Sequence, residues 1–555
     1  VLWSAFAFCC LSLQRILWEA DSRQVWFAAA TSLVSGPAAA WLGKQGLTRV
    51  EALIQAPRPS DRMMALLLPA LAVVFGAALL TSFGRVLQFV LGWLQLAIAS
   101  WPCSVSGLAE RLGAGNCISV PIGPPEAQTQ RMLADRWYEN APIPLQFALF
   151  IVLAALLCVA ARWIPVNRFS MHGVYRNRLT RAFLGTVRAG ERRGDPFTTF
   201  DPDDNVRLAK LRPPPGARPV HVINATLNLT SGTRLAWAER KAASFTFTPL
   251  ACGAADLAAM QDAGAEPPPG AFVPTATYAG DERESGRPDE GEGMTLATAM
   301  TLSGAAMSPN WGYHSSAATA FLMTLFNVRL GGWLPNPARV DDAARLQRSS
   351  PPFSLWPFLN ELTGRSDDQR ADIYISDGGH FENLGLYEML RRRCRRMLVV
   401  DAGQDAGCTL TDLGNAIRKA GIDLNVQITM RPIRLLSRAA FEGVPEAARA
   451  QVPGFAYGLV RYPEGQRAQL LLIKPSWLAD IPADVRAYGA LRPEFPHEPT
   501  GEQWFTESQF ESYRALGAFQ TDRLCEGVAE GVLADLFARA ASEARPGRDG
   551  SAPVA

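Results

Sequence analysis

The stretch ADIYISDGGHFENLGLYEMLRRRCRRMLVVDAG, Ala371 to Gly403, combines a complete structural pattern with a candidate catalytic group. Ile373 and Ile375 alternate with Asp372 and Tyr374, the period of a short strand. Asp377, Gly378 and Gly379 then break it with residues suited to a tight turn. From Leu384 to Arg395 the apolar residues Leu384, Leu386, Tyr387, Leu390 and Cys394 recur every three or four positions, which predicts an amphipathic helix. Met397 to Val400 follows as a buried strand ending at Asp401. A strand, a helix and a strand in this order are expected to place two parallel strands side by side, with Asp377 on the carboxyl edge where α/β sheets collect ligands.

Working outward, the chain has 555 residues, enough for two or three domains, and 48% of them are hydrophobic. Mean hydropathy lies just above zero, high for a wholly soluble chain. The excess sits before residue 166. A net charge of +2 supplies no field for nucleic acid. The nine cysteines include no CxxC or Cys/His pairing, so neither a zinc site nor a disulfide framework is indicated.

Residues 1–165 are expected to form an α-helical membrane region. Val1–Trp18, Val25–Leu42, Met63–Phe83 and Ile143–Ala161 are apolar runs of about spanning length, and Val86–Trp101 follows the third too closely for a free loop, so it lies in the interface or re-enters. Lys44, Arg49, Arg58 and Arg62 mark one loop as cytoplasmic. Arg168, Arg176, Arg178, Arg181, Arg188, Arg192 and Arg193 do the same after the last span. About four spans result, in a multi-pass protein whose larger part faces the cytoplasm, with an outer loop from Pro102 to Ala141 in which Cys103 and Cys117 either pair or remain thiols.

Residues 166–541 have a globular composition. Val220–Leu229 alternates as a strand, and Glu239–Pro249 ends in another, SFTFTP. The Asn224-Ala-Thr and Asn228-Leu-Thr sequons carry no meaning in a cytoplasmic strand. Gly264–Gly293, rich in Pro, Gly and acids, is expected to be a mobile insertion, and Ala317–Val328 a buried helix. Thr411–Ala420 is expected as a helix and Asp423–Met430 as a strand. Phe455–Tyr462 and Ala468–Lys474 pair as a hairpin about Pro463-Glu464-Gly465. Ser508–Leu516 and Asp522–Ala541 are expected helices, and the tail 542–555 disordered.

The Asp-Gly-Gly segment resembles that of patatin-like acyl hydrolases, in the bacterial membrane-anchored branch similar to cytosolic phospholipases. SMHGVYRNRLTRAFLG (Ser170–Gly185), NATLNLTSGTRLAWAERKAASFTFTP (Asn224–Pro249), TLSGAAMSPNWGYHSS (Thr301–Ser316) and FPHEPTGEQWFTESQFESYRALG (Phe495–Gly517) resemble the same branch, so the likeness runs in order over Ser170 to Gly517. It implies the C-terminal part of a three-layer α/β hydrolase domain in the bacterial inner membrane. It further implies a membrane-lipid substrate, no metal or organic cofactor, and a Ser-Asp dyad without histidine in which Asp377 is the base.

Such a dyad needs a serine on a sharp strand-to-helix turn, G-x-S-x-G, and amides that face the oxyanion. The sequence contains neither that motif nor a run of three glycines followed by a basic residue. In the family both precede the aspartate, so they are expected upstream of Val1, and the 555-residue chain alone is expected to be inactive. Ser303, in LSGAA, is the one internal substitute, with Thr301 where the elbow wants glycine; packing or pocket lining is its plainer role. Gly378 and Gly379 form the turn. His380 and His314 suit capping, pocket or structural roles, and Glu382 and Asn383 a helix start. Asp401 is a runner-up acid or a loop-ordering residue, and Arg391, Arg392, Arg393, Arg395 and Arg396 form either a lipid-facing patch or a solvated helix face. A membrane scaffold or lipid-binding protein with a hydrolase-like domain is the alternative to an enzyme.

Overall fold

The computed structural model describes residues 143–544 except 189, 217–218, 232–239, 256, 258–270, 281–292, 310–322, 325–326, 340–342, 500–504 and 529–532. Two compact units divide the chain: Val1–Val166 with Pro352–Leu359, and Asn167–Pro351 with Asn360–Ala555.

In the first unit, α1 (Ile143–Trp163) is a 21-residue helix that contains the last expected span. The amide of Ser354 caps it by donating to the Ala161 carbonyl at 2.8 Å. Among the described residues no helix is long and apolar enough to cross a membrane. The other apolar runs, with Cys103 and Cys117, lie outside the described residues.

The second unit is mixed α/β, with two sheets. It opens with α2 (Met171–Leu179), whose first turn Ser170 caps by accepting the His172 amide on its hydroxyl at 3.3 Å. The strands are β1 (Ile223–Asn228), β2 (Ala242–Phe247), β3 (Ala251–Ala254), β4 (Ala271–Pro274), β5 (Gly332–Pro335) and β6 (Asp372–Asp377), then β7 (Arg396–Val400), β8 (Gln427–Met430), β9 (Phe455–Arg461) and β10 (Arg467–Ile473). The first six form one antiparallel sheet in the order β4-β3-β2-β1-β6-β5. The last four form a second sheet in the order β7-β10-β9-β8, with β7 and β10 parallel. The helix α3 (Leu296–Ser303) packs on β1, β6 and α2. Phe245, Phe247, Leu302, Ile373 and Ile375 close the core of the first sheet.

The second sheet is covered on both faces. Leu386 and Leu390 of α4 (Leu386–Arg391), with Leu413 and Ala416 of α5 (Thr411–Leu424), pack on Met397, Leu470 and Leu472. On the other face Tyr457 and Leu471 meet Leu524 of α7, which spans Glu507–Cys525, and Phe537 of α8, which spans Leu533–Glu543. Between α5 and α7, α6 (Ala483–Leu491) belongs to a third apolar cluster around Phe495.

The strand, helix, strand expectation is overturned. β6 pairs antiparallel with β1 and β5, so both its edges are taken, and β7 belongs to the other sheet. The six-residue α4 spans only about 9 Å, too little for a crossover. Nor is β7 buried throughout: it is an edge strand, and Val400 is 63% exposed. The 264–293 insertion is corrected as well. Ala271–Pro274 is the edge strand β4, and Tyr278 behind it is fully buried, donating its hydroxyl to the Pro335 carbonyl at 2.7 Å. The surrounding Pro, Gly and acidic residues hide this short apolar alternation in any compositional average.

The hairpin of β9 and β10 turns at Gly465 (φ +83°) as expected. Gly517 does not break α7; the break comes at Gly527, where φ is +71°. The expected helix Ala317–Val328, along with His314, lies largely outside the described residues; of the tail expected disordered over 542–555, residues 542–543 instead complete α8, and those from 545 lie outside the described residues.

Candidate functional site

Asp377 is the last residue of β6, half-buried, with its Oδ1 accepting the Gly379 amide at 2.6 Å. That bond caps the single turn Gly378–His380 and fixes the carboxylate at the strand tip. Burial pushes its pKa up to about 6, and the Gly379 N–H offsets this only in part. Among the described residues Asp377 forms no salt bridge. A carboxylate with no cation and a proton affinity near neutrality is suited to general-base work.

Register brings the neighbouring groups. Asp377 pairs with Ala225 across the sheet, so Asn224 stands beside the turn. The Asn224 Oδ1 is buried with no hydrogen-bond partner. Ser303, the last residue of α3, donates its Oγ–H to the Asn224 carbonyl at 2.7 Å. Tyr175 projects from the inner face of α2: its hydroxyl lies 2.9 Å from where a Cβ on Gly304 would stand, and burial together with the Asp377 charge raises its pKa.

Close approach explains two glycines. A Cβ on Gly378 would lie 2.9 Å from the Asn224 carbonyl oxygen, and one on Gly385 2.8 Å from Asn224 Nδ2. Gly385 also has φ +66°, where a side chain is strained. Gly385→Ala is therefore expected to lower unfolding free energy by about 1–2 kcal/mol and to displace Asn224, read from urea denaturation midpoints.

The other sequence candidates separate clearly. His380 Nδ1 shares a hydrogen bond with Ser376 Oγ at 2.8 Å, and that same oxygen accepts from Asn228 Nδ2 at 2.7 Å. Ser376 and Asn228 are buried, so this pair braces the strand end, and Asn228 has no room for a glycan. Glu382 accepts the amides of Leu384 and Tyr387 at 2.6 and 3.0 Å, a helix-start role. Asn383 instead donates to Asp412 at 2.8 Å, while its Oδ1 crowds Gly379. It thereby links the Asp377 turn to α5.

Asp401 is locked in a buried ion pair with Lys474 at 2.8 Å, which leaves it no part as an acid. Of the basic cluster, Arg391 and Arg392 pair with Glu388 and Arg393 with Glu464. Lys419 was not singled out by the sequence. It stacks over the Phe381 ring at 4.7 Å and donates to the Phe381 carbonyl, and burial first, then Arg240, lowers its pKa to about 8.

Tyr175 and Asn224 are also neighbours the sequence did not single out. Nothing in strand or helix periodicity brings either to Asp377. Ser303 does approach, yet its hydroxyl proton goes to a main-chain oxygen, and it sits at the carbonyl end of α3, where the helix dipole opposes a developing oxyanion. Among the described residues there is no cluster of three His, Cys, Asp or Glu able to hold a metal. No protein-family model matches the chain, and no curated protein or solved structure matches it significantly.

Proposed function

We propose that this chain carries the base of a membrane-anchored, cytoplasm-facing serine lipid acyl hydrolase of the patatin-like type. The supporting observation is the half-buried, cation-free Asp377 at a strand tip with its pKa near 6. In this mechanism Asp377 takes the proton from a serine hydroxyl as the serine oxygen bonds to the ester carbonyl of a membrane lipid. The tetrahedral adduct collapses to an acyl-serine, and the leaving alkoxide takes the proton from Asp377. Water, deprotonated by the same carboxylate, then attacks the acyl-serine, and the serine oxygen leaves with the proton held by Asp377 as the carboxylic acid is released. A positioned base contributes about 10²–10⁴-fold to such a step. The nucleophile is assigned to a serine outside the described residues, because Ser303 is committed to Asn224.

That same commitment favours a second reading, a membrane scaffold or lipid-binding protein with a hydrolase-like domain. A fluorophosphonate probe on membranes expressing the chain with the coding sequence that precedes its first codon separates the two. The enzyme is expected to be labelled at a serine upstream of Val1, with labelling lost in Asp377→Asn. Labelling at Ser303 would overturn the placement of the nucleophile, and a chain neither labelled nor able to cleave lipid esters is the scaffold.

A further inference from the structure

Where the apolar cluster around Phe495 adjoins the one beneath α7 and α8, the second unit holds a cavity of about 420 Å³, within the range of about 300–1,000 Å³ that takes a small ligand. Asp377, Asn224, Ser303 and Tyr175 have no part in its lining, and the strands that reach it, β9 and β10, belong to the second sheet. Its apolar lining comes from both clusters. Val452 and Leu478 belong to the first and Phe455 and Leu524 to the other, and all four side chains are buried.

Part of the wall is a fixed amide. Gln520, 6% exposed, donates through Nε2 to the Lys474 carbonyl at 3.0 Å and to the Gly454 carbonyl at 3.5 Å. Gly454 leaves the room for it, since a Cβ there would stand 2.6 Å from that Nε2. The Gln520 N–H groups thus serve the wall, and a charge in the cavity falls to other side chains. Arg434, Arg523 and Arg539 line it against Glu526 and Glu543, three positive charges against two negative. Arg539 is paired with Glu543 at 2.8 Å. Among the described residues neither Arg434 nor Arg523 forms an ion pair, and Arg523 donates instead to the Ala450 carbonyl, a neutral group that leaves its charge in place.

A guanidinium takes the two oxygens of a carboxylate on its planar fork. One positive charge in excess matches a monoanion, and the four buried apolar side chains match a hydrocarbon body. We propose that this cavity binds a small carboxylate with an apolar body, the hydrocarbon on Val452, Phe455, Leu478 and Leu524 and the carboxylate on Arg434 and Arg523. The site does not rest on the hydrolase reading.

The test uses the full chain in lipid nanodiscs, a diazirine-bearing octanoate as photoprobe, and mass-spectrometric mapping of the labelled residues. Labelling is expected within 451–455 and 520–526. Excess octanoate should displace it, whereas octanol, the body without the charge, and acetate, the charge without the body, should not. Phenylacetate in the same competition tells an aryl from an alkyl body, and displacement by either acid supports the site. Arg434→Gln with Arg523→Gln should raise the probe concentration for half-maximal labelling by about tenfold, the loss of one charge-assisted hydrogen bond. An unchanged urea midpoint shows that the fold is kept. Should the double variant lower that midpoint, Arg434→Gln alone, at an exposed position, is read in its place. Labels scattered over the exposed surface, equal displacement by octanol, or an unchanged half-maximal concentration in the folded variant overturns the proposal.

Discussion

In the chain expressed with the coding sequence that precedes its first codon, Asp377→Asn is expected to abolish ester hydrolysis, by about 10³-fold or more, and at the same time to make the fold more stable at pH 8. The two effects have one cause. Burial raises the Asp377 pKa from the ordinary 3.8 to about 6, so the folded state binds the proton more tightly than the unfolded chain does. Ionised Asp377 therefore costs stability, and the cost is fully present above about pH 6 and absent below 3.8. A two-unit shift corresponds to about 3 kcal/mol, discounted to about 1–2 kcal/mol because solvent still reaches part of the side chain. Asparagine removes the charge yet still offers an oxygen to the Gly379 amide. Urea denaturation at pH 5 and pH 8 should show about twice the gain at pH 8, and the wild-type rate should rise with pH through an inflection near 6. A variant that loses stability at pH 8 while keeping its rate would show that Asp377 is a structural cap and not a base.

The sequence disclosed local order far better than pairing. Alternation bounded by turn residues located β1, β2, β6, β9 and β10, although β1, β2 and β6 are buried on both faces and their polar residues Thr226, Ser244 and Ser376 lie inside. It could not reveal that β6 inserts between β1 and β5, since that choice depends on segments 150 residues earlier and 40 residues earlier in the chain. The carboxylate itself was legible, because a strand followed by Asp-Gly-Gly fixes where an aspartate ends. Its neighbours were not: Asn224 reaches the site through an antiparallel register, and Tyr175 through the packing of α2 on α3. Asp401 shows the same limit from the other side. Strand followed by aspartate and a nearby glycine occurs twice in thirty residues, and only the arrival of Lys474 from β10 distinguishes the second from the first.

That difference sets the second large effect, Lys474→Met. The Lys474 and Asp401 side chains are 1% and 2% exposed, with Nζ 2.8 Å from Oδ2, 3.2 Å from the Gly403 carbonyl and 3.8 Å from Asp405. Methionine fills the volume but leaves the Asp401 and Asp405 carboxylates facing each other without a cation, and a buried charge stripped of its partner costs about 3–5 kcal/mol. Such a loss lies well outside the range of an exposed substitution and is expected to shift the urea midpoint by more than 1 M. Lys474→Met with Asp401→Leu should recover most of it, because an apolar pair of similar volume pays no desolvation. His497 supplies an independent reading: burial, and then the Lys474 charge, hold its pKa below the usual imidazole value. The single variant, if folded, should therefore titrate His497 at higher pH by NMR. A Lys474→Met protein as stable as wild type would mean that Asp401 is solvated, and the contrast between a paired aspartate on one sheet and an unpaired one on the other would lose its basis.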